Sequence, residues 1–244
     1  MLSLLALSLA PGIAIIFYIY SKDKYDREPF ENLFISFLLG VICTVPAALL
    51  QRNLTPCMGA IVPRFSLSYY FIWAFLLVGI SEEGCKFLVL RLYSYRQKAF
   101  NEPFDGIVYS VMVAMGFATL ENVMYVFQHG VTTGILRMFL AVPAHACFGV
   151  LMGYHTGLAK FDAARAPFHM LKGFVLAVFF HGAYDFFLFL QDHPDVARYG
   201  LFSQLCLIAG SLLSYWLAIR LSLRSIRQHQ ALSKQVFDKP GDIL

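Results

Sequence analysis

Residues 69–92 read YYFIWAFLLVGISEEGCKFLVLRL, an apolar run that contains two glutamates and a lysine, Glu82, Glu83 and Lys86. The run is long enough to cross a bilayer, which takes about 20 residues at about 1.5 Å of rise each. An ionised side chain at the centre of a membrane helix costs about 2.5–3.5 kcal/mol on insertion scales. Three such groups so close together need partners, and the rest of the chain has to supply them.

The composition indicates an integral membrane protein. The chain has 244 residues, of which 59% are hydrophobic and 14% charged, and its mean hydropathy is +0.64. A soluble domain carries about 25% charged residues. We therefore predict an all-α, polytopic transmembrane helical bundle in which residues 1–244 form a single integral membrane domain. The net charge of +4 does not indicate nucleic acid, because the Lys and Arg residues lie between apolar runs, and we expect neither a nucleic-acid nor a nucleotide partner.

Seven apolar runs predict seven transmembrane helices. They cover roughly residues 2–20, 32–50, 68–92, 105–128, 133–158, 168–190 and 201–220. The first run ends in the charged SKDKYDRE and not at a small-residue cleavage site, which favours a retained span over a signal peptide. Pro143 lies inside the fifth run, so we expect that helix to be kinked or broken there.

The distribution of Lys and Arg predicts the orientation in the membrane. Fourteen of them lie on the side of the first, third and fifth connections and the C-terminal segment, and four lie on the other side, at Arg52, Arg64, Arg137 and Arg198. The positive-inside rule places the richer side in the cytoplasm, with the N-terminus outside and the C-terminus inside. Residues 221–244 are then expected to form a basic cytoplasmic tail.

Ionisable groups inside the apolar runs are confined to four consecutive predicted helices. They are Glu82, Glu83 and Lys86 in span three, Glu121 beside Asn122 in span four, His145 in span five, and His181 and Asp185 in span six. Counted from the predicted outer ends at about 1.5 Å per residue, Glu82, Glu121, His145 and His181 lie about 10–21 Å deep. One layer of the bundle, from the midplane to the outer half, can bring them together around a water-filled pocket.

The carboxylates in this layer exceed the lysine by three negative charges. Lys86 can pair with Glu82 at i+4 or with Glu83 at i+3. A low dielectric does not tolerate the remaining surplus, so carboxyls are protonated, histidines are cationic, or a divalent metal lies among them. Each alternative is useful in chemistry, because a poised carboxyl can act as a general acid or base and a metal lowers the pKa of bound water to about 7.

The spacing of the remaining residues adds three expectations. Asp185 follows His181 by four residues, so it can orient an imidazole on the same helix face. Glycines follow His145 at four-residue steps, at Gly149, Gly153 and Gly157, which predicts close helix packing. The histidines near predicted interfaces or loops are expected to be solvated; these are His155, His169, His193 and His229.

Four short motifs on successive spans carry a resemblance to a known family. Residues 82–86 read EExxK, residues 117–121 read FxxxE, residues 145–149 read HxxxG and residues 181–185 read HGxYD. In this order they resemble the PrsW-type intramembrane proteases, which are distantly similar to CAAX prenyl endopeptidases and bacteriocin-processing proteases. The resemblance covers residues 81–185, which we take as the motif-bearing catalytic core. Glu121 departs from the wider CAAX-type pattern, in which FxxxH has histidine at that position.

The resemblance implies hydrolysis of a peptide bond within the membrane. PrsW-type proteins are known for the first, outside cut in a membrane-spanning anti-sigma factor, and they are described as metalloproteases. A metal-free mechanism with glutamate as the base has been argued for the prenyl endopeptidases. The sequence has no HExxH motif of the zincins. These relatives imply a bacterial or archaeal cell membrane as the location, with the lipid bilayer and a membrane-anchored protein or peptide as partners.

The residues then take the following predicted roles. Glu82 or Glu83 is the general base for water, and Lys86 offsets the charge of the other. His145 and His181 stabilise the oxyanion or protonate the leaving amine, while Asn122 and Asp185 support the site. Zn²⁺ is a candidate cofactor with Glu121, His145 and His181 as candidate ligands, and Glu121 can instead orient a histidine. Two other functions use the same residues: a proton- or cation-coupled transporter or channel, and a non-catalytic membrane scaffold.

Overall fold

The computed structural model of the protein describes residues 1–238, and within that range it contains helices and no strands. The helices are α1 (Leu2–Lys22), α2 (Phe30–Ile61), α3 (Leu67–Phe71), a π-helical stretch (Ile72–Gly79), α4 (Ile80–Leu92), α5 (Asp105–Phe139), α6 (Ala141–Phe161), α7 (Ala166–Phe189) and α8 (Pro194–Asp238). The prediction of an all-α helical membrane bundle is confirmed.

The predicted spans correspond to helical segments of the structure. Five segments are long and apolar enough to cross a membrane by themselves: Leu2–Lys22, Phe30–Ile61, Asp105–Phe161, Ala163–Asp192 and Arg198–Asp238. The third of these contains predicted spans four and five. Predicted span three is the rod formed by α3, the π-helical stretch and α4. A π-helical segment carries an extra residue per turn and is frequent at functional sites, and here it directly precedes Glu82 and Glu83.

Span five differs from the prediction, because a separate helical piece precedes it. Gly130 has φ 82° and ψ −167°, a conformation that favours glycine, and it interrupts α5. Residues 131–139 form a short helical piece after this bend. The chain breaks again at Leu140, and Pro143 lies in the first turn of α6, where a missing N–H costs no hydrogen bond. The expected break therefore precedes Pro143 by three residues.

The centre of the bundle is α5, which packs against α1, α2 and α6, while α6 also packs against α7 and α8. The glycine stripe on α6 allows this packing. A Cβ on Gly153 would collide with the backbone carbonyl of Gly106, and one on Gly149 would lie 2.9 Å from the Cβ of Ala114. The predicted role of these glycines in close helix packing is confirmed.

The segment after Leu221 continues α8 as far as Asp238 and packs against the bundle. One face of it is buried, including Ile226, His229 and Ser233. The expectation that His229 and His155 are solvated was wrong: their exposed fractions are 0% and 6%. Charge density alone suggested a solvated tail, but residues at helical spacing on one face are buried. The last six residues of the predicted tail, 239–244, lie outside the described part of the chain.

Candidate active site

The two adjacent glutamates of α4 have different environments. Glu83 is completely buried and accepts hydrogen bonds from Lys86 Nζ at 2.7 Å and from His181 Nδ1 at 2.8 Å, both at its Oε1. Glu82 lines a cavity, where its Oε1 accepts a hydrogen bond of 3.1 Å from Gln51 Nε2. Its Oε2 is buried and receives no hydrogen bond from the described residues. Oε2 of Glu83 is likewise buried and without a donor, so the two glutamates differ in that Glu83 is held by two bonds at Oε1 while Glu82 lines the cavity.

Lys86 links the glutamates to the histidine of α6. Besides the bond to Glu83, its ammonium lies 3.0 Å from His145 Nδ1 and 3.6 Å from Glu82 Oε2. It also lies 4.1 Å from the centre of the Phe117 ring, close enough for a cation–π interaction. One lysine thus offsets the charge of the glutamates and contacts two further helices.

The neighbours of His145 determine its tautomer. Lys86 can only donate, so His145 Nδ1 must accept and the ring proton lies on Nε2. That nitrogen lies 2.9 Å from Glu121 Oε2, to which it donates. Glu121 therefore holds the imidazole of His145 in one orientation, which is one of the two roles predicted for it.

Arg137 belongs to this site, although the sequence analysis counted it only as an outer-side residue. Its NH2 group lies 2.9 Å from Glu121 Oε2, and its Nε donates to Asn122 Oδ1 at 2.9 Å. Asn122 in turn donates to the backbone carbonyl of Ser8 on α1 at 2.9 Å. The bend at Gly130 returns the chain toward the site and brings Arg137 to Glu121. With this second cation, the surplus of negative charge falls from three to two.

His181 is placed between three carboxylates. Its Nδ1 donates to Glu83, and its Nε2 lies 3.2 Å from Asp185 Oδ2 and 3.8 Å from Glu82 Oε2. When Nδ1 of His181 carries the proton, its Nε2, Asp185 Oδ2 and Glu82 Oε2 are three hydrogen-bond acceptors that lie next to one another. Such a group of acceptors is stable only with a proton or a metal cation between them. Asp185 thus contacts the histidine on its own helix, as its spacing predicted.

A cavity of about 660 Å³ connects these groups to the end of α7. Its walls come from α2, the α3–α4 rod, α5, α6 and α7. The motif residues among them are Glu82, Phe117, Glu121, His145, His181 and Asp185, and apolar and aromatic residues such as Trp73, Phe148, Leu188 and Phe189 form much of the remainder. Gln51 also lines it, which the sequence analysis missed because it ended the second span at residue 50; α2 continues to Ile61.

Comparison with known proteins identifies the family. The sequence profile of the "PrsW family intramembrane metalloprotease" matches residues 28–211. The chain belongs to this family. It is 36% identical over 220 residues to Protease PrsW of Geobacillus kaustophilus, which covers 90% of this chain and 91% of the relative. It is 38% identical over 189 residues to Protease PrsW of Bacillus subtilis, covering 77% and 84%. No solved structure matches the chain.

Membership of the family confirms several predictions. The protein is an intramembrane peptidase and an integral protein of a bacterial membrane, with a protein substrate and the bilayer as its environment. This also decides against the transporter and scaffold alternatives. The family name implies that a metal takes part.

The residues present fit such a metal. Ligand atoms of Glu82, His145 and His181 all lie within 4.8 Å of one another, and all three side chains are buried. Two histidines and one glutamate are the protein ligands of several catalytic zinc sites. The free oxygen of Glu82 supports the fit, because a buried carboxylate oxygen without a donor is otherwise costly. Glu121, a candidate ligand from the sequence, is instead paired with Arg137 and His145.

Proposed function

We propose that the protein cleaves a membrane-anchored protein within the cavity that Glu82, His145 and His181 line, and that Glu82 is the carboxylate that contacts the hydrolytic water. One observation carries this assignment. Both glutamates have a buried Oε2 without a hydrogen-bond donor in the described chain, but Glu82 lines the cavity and Glu83 is not among its lining residues. Glu83 is instead bonded through Oε1 to Lys86 and His181. Of the two glutamates predicted as a base, Glu82 is the one with access to water.

Glu83 and Glu121 are positioning residues in this proposal. Each accepts a hydrogen bond from one imidazole, Glu83 from His181 and Glu121 from His145. A carboxylate on the far nitrogen fixes the tautomer and the direction of a catalytic or metal-binding histidine. Lys86 and Arg137 keep these two carboxylates ionised by pairing with them. The second ring nitrogen of His181 then lies near Glu82 and Asp185, and that of His145 lies beside Lys86.

Glu82, His145 and His181 are the residues that would hold a divalent metal, and Zn²⁺ is the ion whose usual ligands they match. The chemistry that such an ion supplies when bound is a lower pKa of water and polarisation of a carbonyl oxygen. To accept it, His145 has to exchange its contact with Lys86, which would leave that lysine paired with Glu83. Asp185, beside His181 and on the cavity wall, is placed to accept a proton.

The substrate in this proposal is a single-span protein cut near the outer end of its membrane segment. The cavity includes Asp192, which follows α7 on the predicted outer side, so an extended peptide can reach Glu82 from there. Its apolar and aromatic wall suits the side chains of a membrane segment. An anti-sigma factor, which the resemblance implies, has this architecture.

The experiment compares new protein N-termini in membranes of the strain that encodes the chain. We expect termini next to one or a few membrane segments with the wild type, and their loss with Glu82→Gln. Glu31→Gln, at an exposed residue of the predicted cytoplasmic side, serves as the matched control and should cleave normally. Normal cleavage by Glu82→Gln would overturn the assignment.

Metal analysis of the purified protein separates the ligand sets. We expect near-stoichiometric zinc in the wild type and its loss in both Glu82→Gln and His181→Ala. If Glu121→Ala abolished zinc binding while Glu82→Gln retained it, the set Glu121, His145 and His181 would be correct. If the active wild type contained no metal, Glu82 would be the general base.

A further inference from the structure

A second group of buried carboxylates lies at the opposite end of the bundle from the candidate active site. Asp23, Glu102 and Asp105 have exposed fractions of 0%, and that of Glu28 is 3%. Asp23 and Glu28 come from the connection between α1 and α2, Glu102 comes from the connection before α5, and Asp105 is the first residue of α5. Ligand oxygens of Asp23, Glu102 and Asp105 all lie within 4.8 Å of one another.

Three of these carboxylates have one oxygen bonded to the protein and the other oxygen free. Asp105 Oδ2 accepts the backbone N–H groups of Asn101 and Glu102 at 2.7 and 2.8 Å, and Asp23 Oδ2 accepts that of Glu28 at 3.3 Å. Glu28 Oε2 accepts the hydroxyl of Tyr109. The second oxygen of each, Asp23 Oδ1, Glu28 Oε1 and Asp105 Oδ1, receives no hydrogen bond within residues 1–238. The carboxylates are thus oriented through one oxygen while the other remains available.

Glu102 provides the most direct indication of a ligand. Both of its oxygens are buried and neither receives a hydrogen bond from the described chain. A buried carboxylate without a donor is among the least favourable groups in a protein interior. Since its oxygens lie beside those of Asp23 and Asp105, a partner placed between them would satisfy all three carboxylates at once.

The cationic side chains nearby do not fill this role. Among the ion pairs of residues 1–238, none involves these four carboxylates. Arg27 donates to the backbone carbonyl of Asp23, and Lys160 donates to that of Tyr95. Burial raises the pKa of Glu28 to about 7, and burial together with the charge of Asp23 raises that of Glu102 to about 8. The raised pKa values show that the ionised forms are disfavoured without a cation, and no cationic side chain of residues 1–238 pairs with the cluster.

We propose that Asp23, Glu102 and Asp105, with Glu28 beside them, form a binding site for a hard divalent cation, Mg²⁺ or Ca²⁺. All candidate ligand atoms are carboxylate oxygens, which these two ions prefer. The three-residue group contains no histidine or cysteine that would favour a softer metal. Carboxylates whose second oxygen is hydrogen-bonded are typical of pre-oriented ligands. Asp105 and Glu121 lie 16 residues apart on α5, about 24 Å along the helix at 1.5 Å per residue. The site is thus distinct from the catalytic one.

The bound cation would join three segments on the predicted cytoplasmic side. It links the connection between α1 and α2 to the start of α5. Phe104, which precedes α5, donates its backbone N–H to Ser233 on α8 at 3.2 Å. Gln230 on α8 donates to the backbone carbonyl of Lys22 at 2.7 Å. The cation therefore stabilises the end of the bundle at which α1, α5 and α8 meet.

The test is thermal unfolding of the full chain, purified in zwitterionic detergent and freed of metal. A ligand that binds only the folded state raises the midpoint with its concentration. We expect millimolar MgCl₂ or CaCl₂ to raise the midpoint by several degrees beyond KCl of equal ionic strength, and the larger shift identifies the preferred ion. The absence of a shift beyond KCl for both ions would overturn the proposal.

Two substitutions locate the effect. Glu102→Gln removes one anionic ligand and one buried acid, so it should abolish the shift and leave the cation-free midpoint equal to the wild type or higher. Glu82→Gln, in the candidate active site, should retain the full shift, and Glu31→Gln should behave as the wild type. If Glu102→Gln retained the shift, or Glu82→Gln lost it, the cation would be acting elsewhere and the proposal would be wrong.

Discussion

Replacement of Arg137 by glutamine tests the part of the active site that the sequence did not predict. The guanidinium and the Glu121 carboxylate are 2.9 Å apart, and their side chains are only 13% and 15% exposed. Removal of one partner of a buried ion pair costs about 3–5 kcal/mol, because the other charge remains buried and unpaired. Arg137 also donates to Asn122, so a hydrogen bond is lost in addition.

At about 2–4 °C per kcal/mol for a chain of this size, Arg137→Gln should lower the unfolding midpoint by about 6–20 °C. The measurement is a double-mutant cycle with Glu121→Gln, read by thermal unfolding in detergent. The double variant should be more stable than the sum of the single losses predicts, since it leaves no unpaired charge. Arg198→Gln, another arginine of the predicted outer side, is the matched control and should change stability by no more than about 0.5 kcal/mol.

Two outcomes would refute this reasoning. Loss of less than about 1 kcal/mol in Arg137→Gln would mean that the pair is solvated and contributes as surface pairs do. Strict additivity in the cycle would mean that the two residues do not interact.

Two further predictions follow from the same contacts. Glu83→Gln and Glu82→Gln should both abolish cleavage. Glu83→Gln should destabilise the protein far more, because Glu83 lies 2.7 Å from Lys86 Nζ whereas Glu82 lies 3.6 Å away. Equal unfolding midpoints for the two variants would contradict the division of roles. Gly153→Ala should cost about 1–3 kcal/mol, since its Cβ would collide with the Gly106 carbonyl, while Gly84→Ala, whose Cβ has its nearest neighbour at 4.0 Å, should be neutral or stabilising in the same unfolding assay.

The positions of the motif residues could be predicted from the sequence because membrane helices impose strong rules. Charged groups in apolar runs have to face one another, so the grouping of Glu82, Glu121, His145 and His181 followed from hydropathy and depth alone. Which atoms meet could not be predicted in this way. Glu82, and not Glu121, lies near both His145 and His181. This depends on how each helix is rotated about its axis, and the π-helical stretch before α4 changes the rotation of α4.

Arg137 was missed for a related reason. An arginine near the end of an apolar run is usually a topology marker, and the run gave no sign that Gly130 and Leu140 would bend the chain on both sides of it. The carboxylates on the predicted cytoplasmic side could not be grouped from the positive-inside rule, because that rule depends on Lys and Arg alone. Three acids in DKYDRE and two in NEPFD, on the same predicted side of the membrane, are the sequence signal for this group.

The two acidic groups on α5, at Asp105 and at Glu121, differ in how the chain compensates buried charge. At Glu121 the structure supplies Arg137, brought back by the bend at Gly130, and His145 from α6, and Lys86 adds a further cation on α4. At Asp105 the chain supplies backbone N–H groups, which orient the carboxylate but leave the charge of its neighbours without a cation. Backbone N–H groups orient these carboxylates but carry no full positive charge, so they cannot pair with the remaining negative charge as a cation would. Around Glu121 the chain therefore has its own compensating residues, whereas the carboxylates at the predicted cytoplasmic end do not, and we expect removal of Mg²⁺ and Ca²⁺ to destabilise that end.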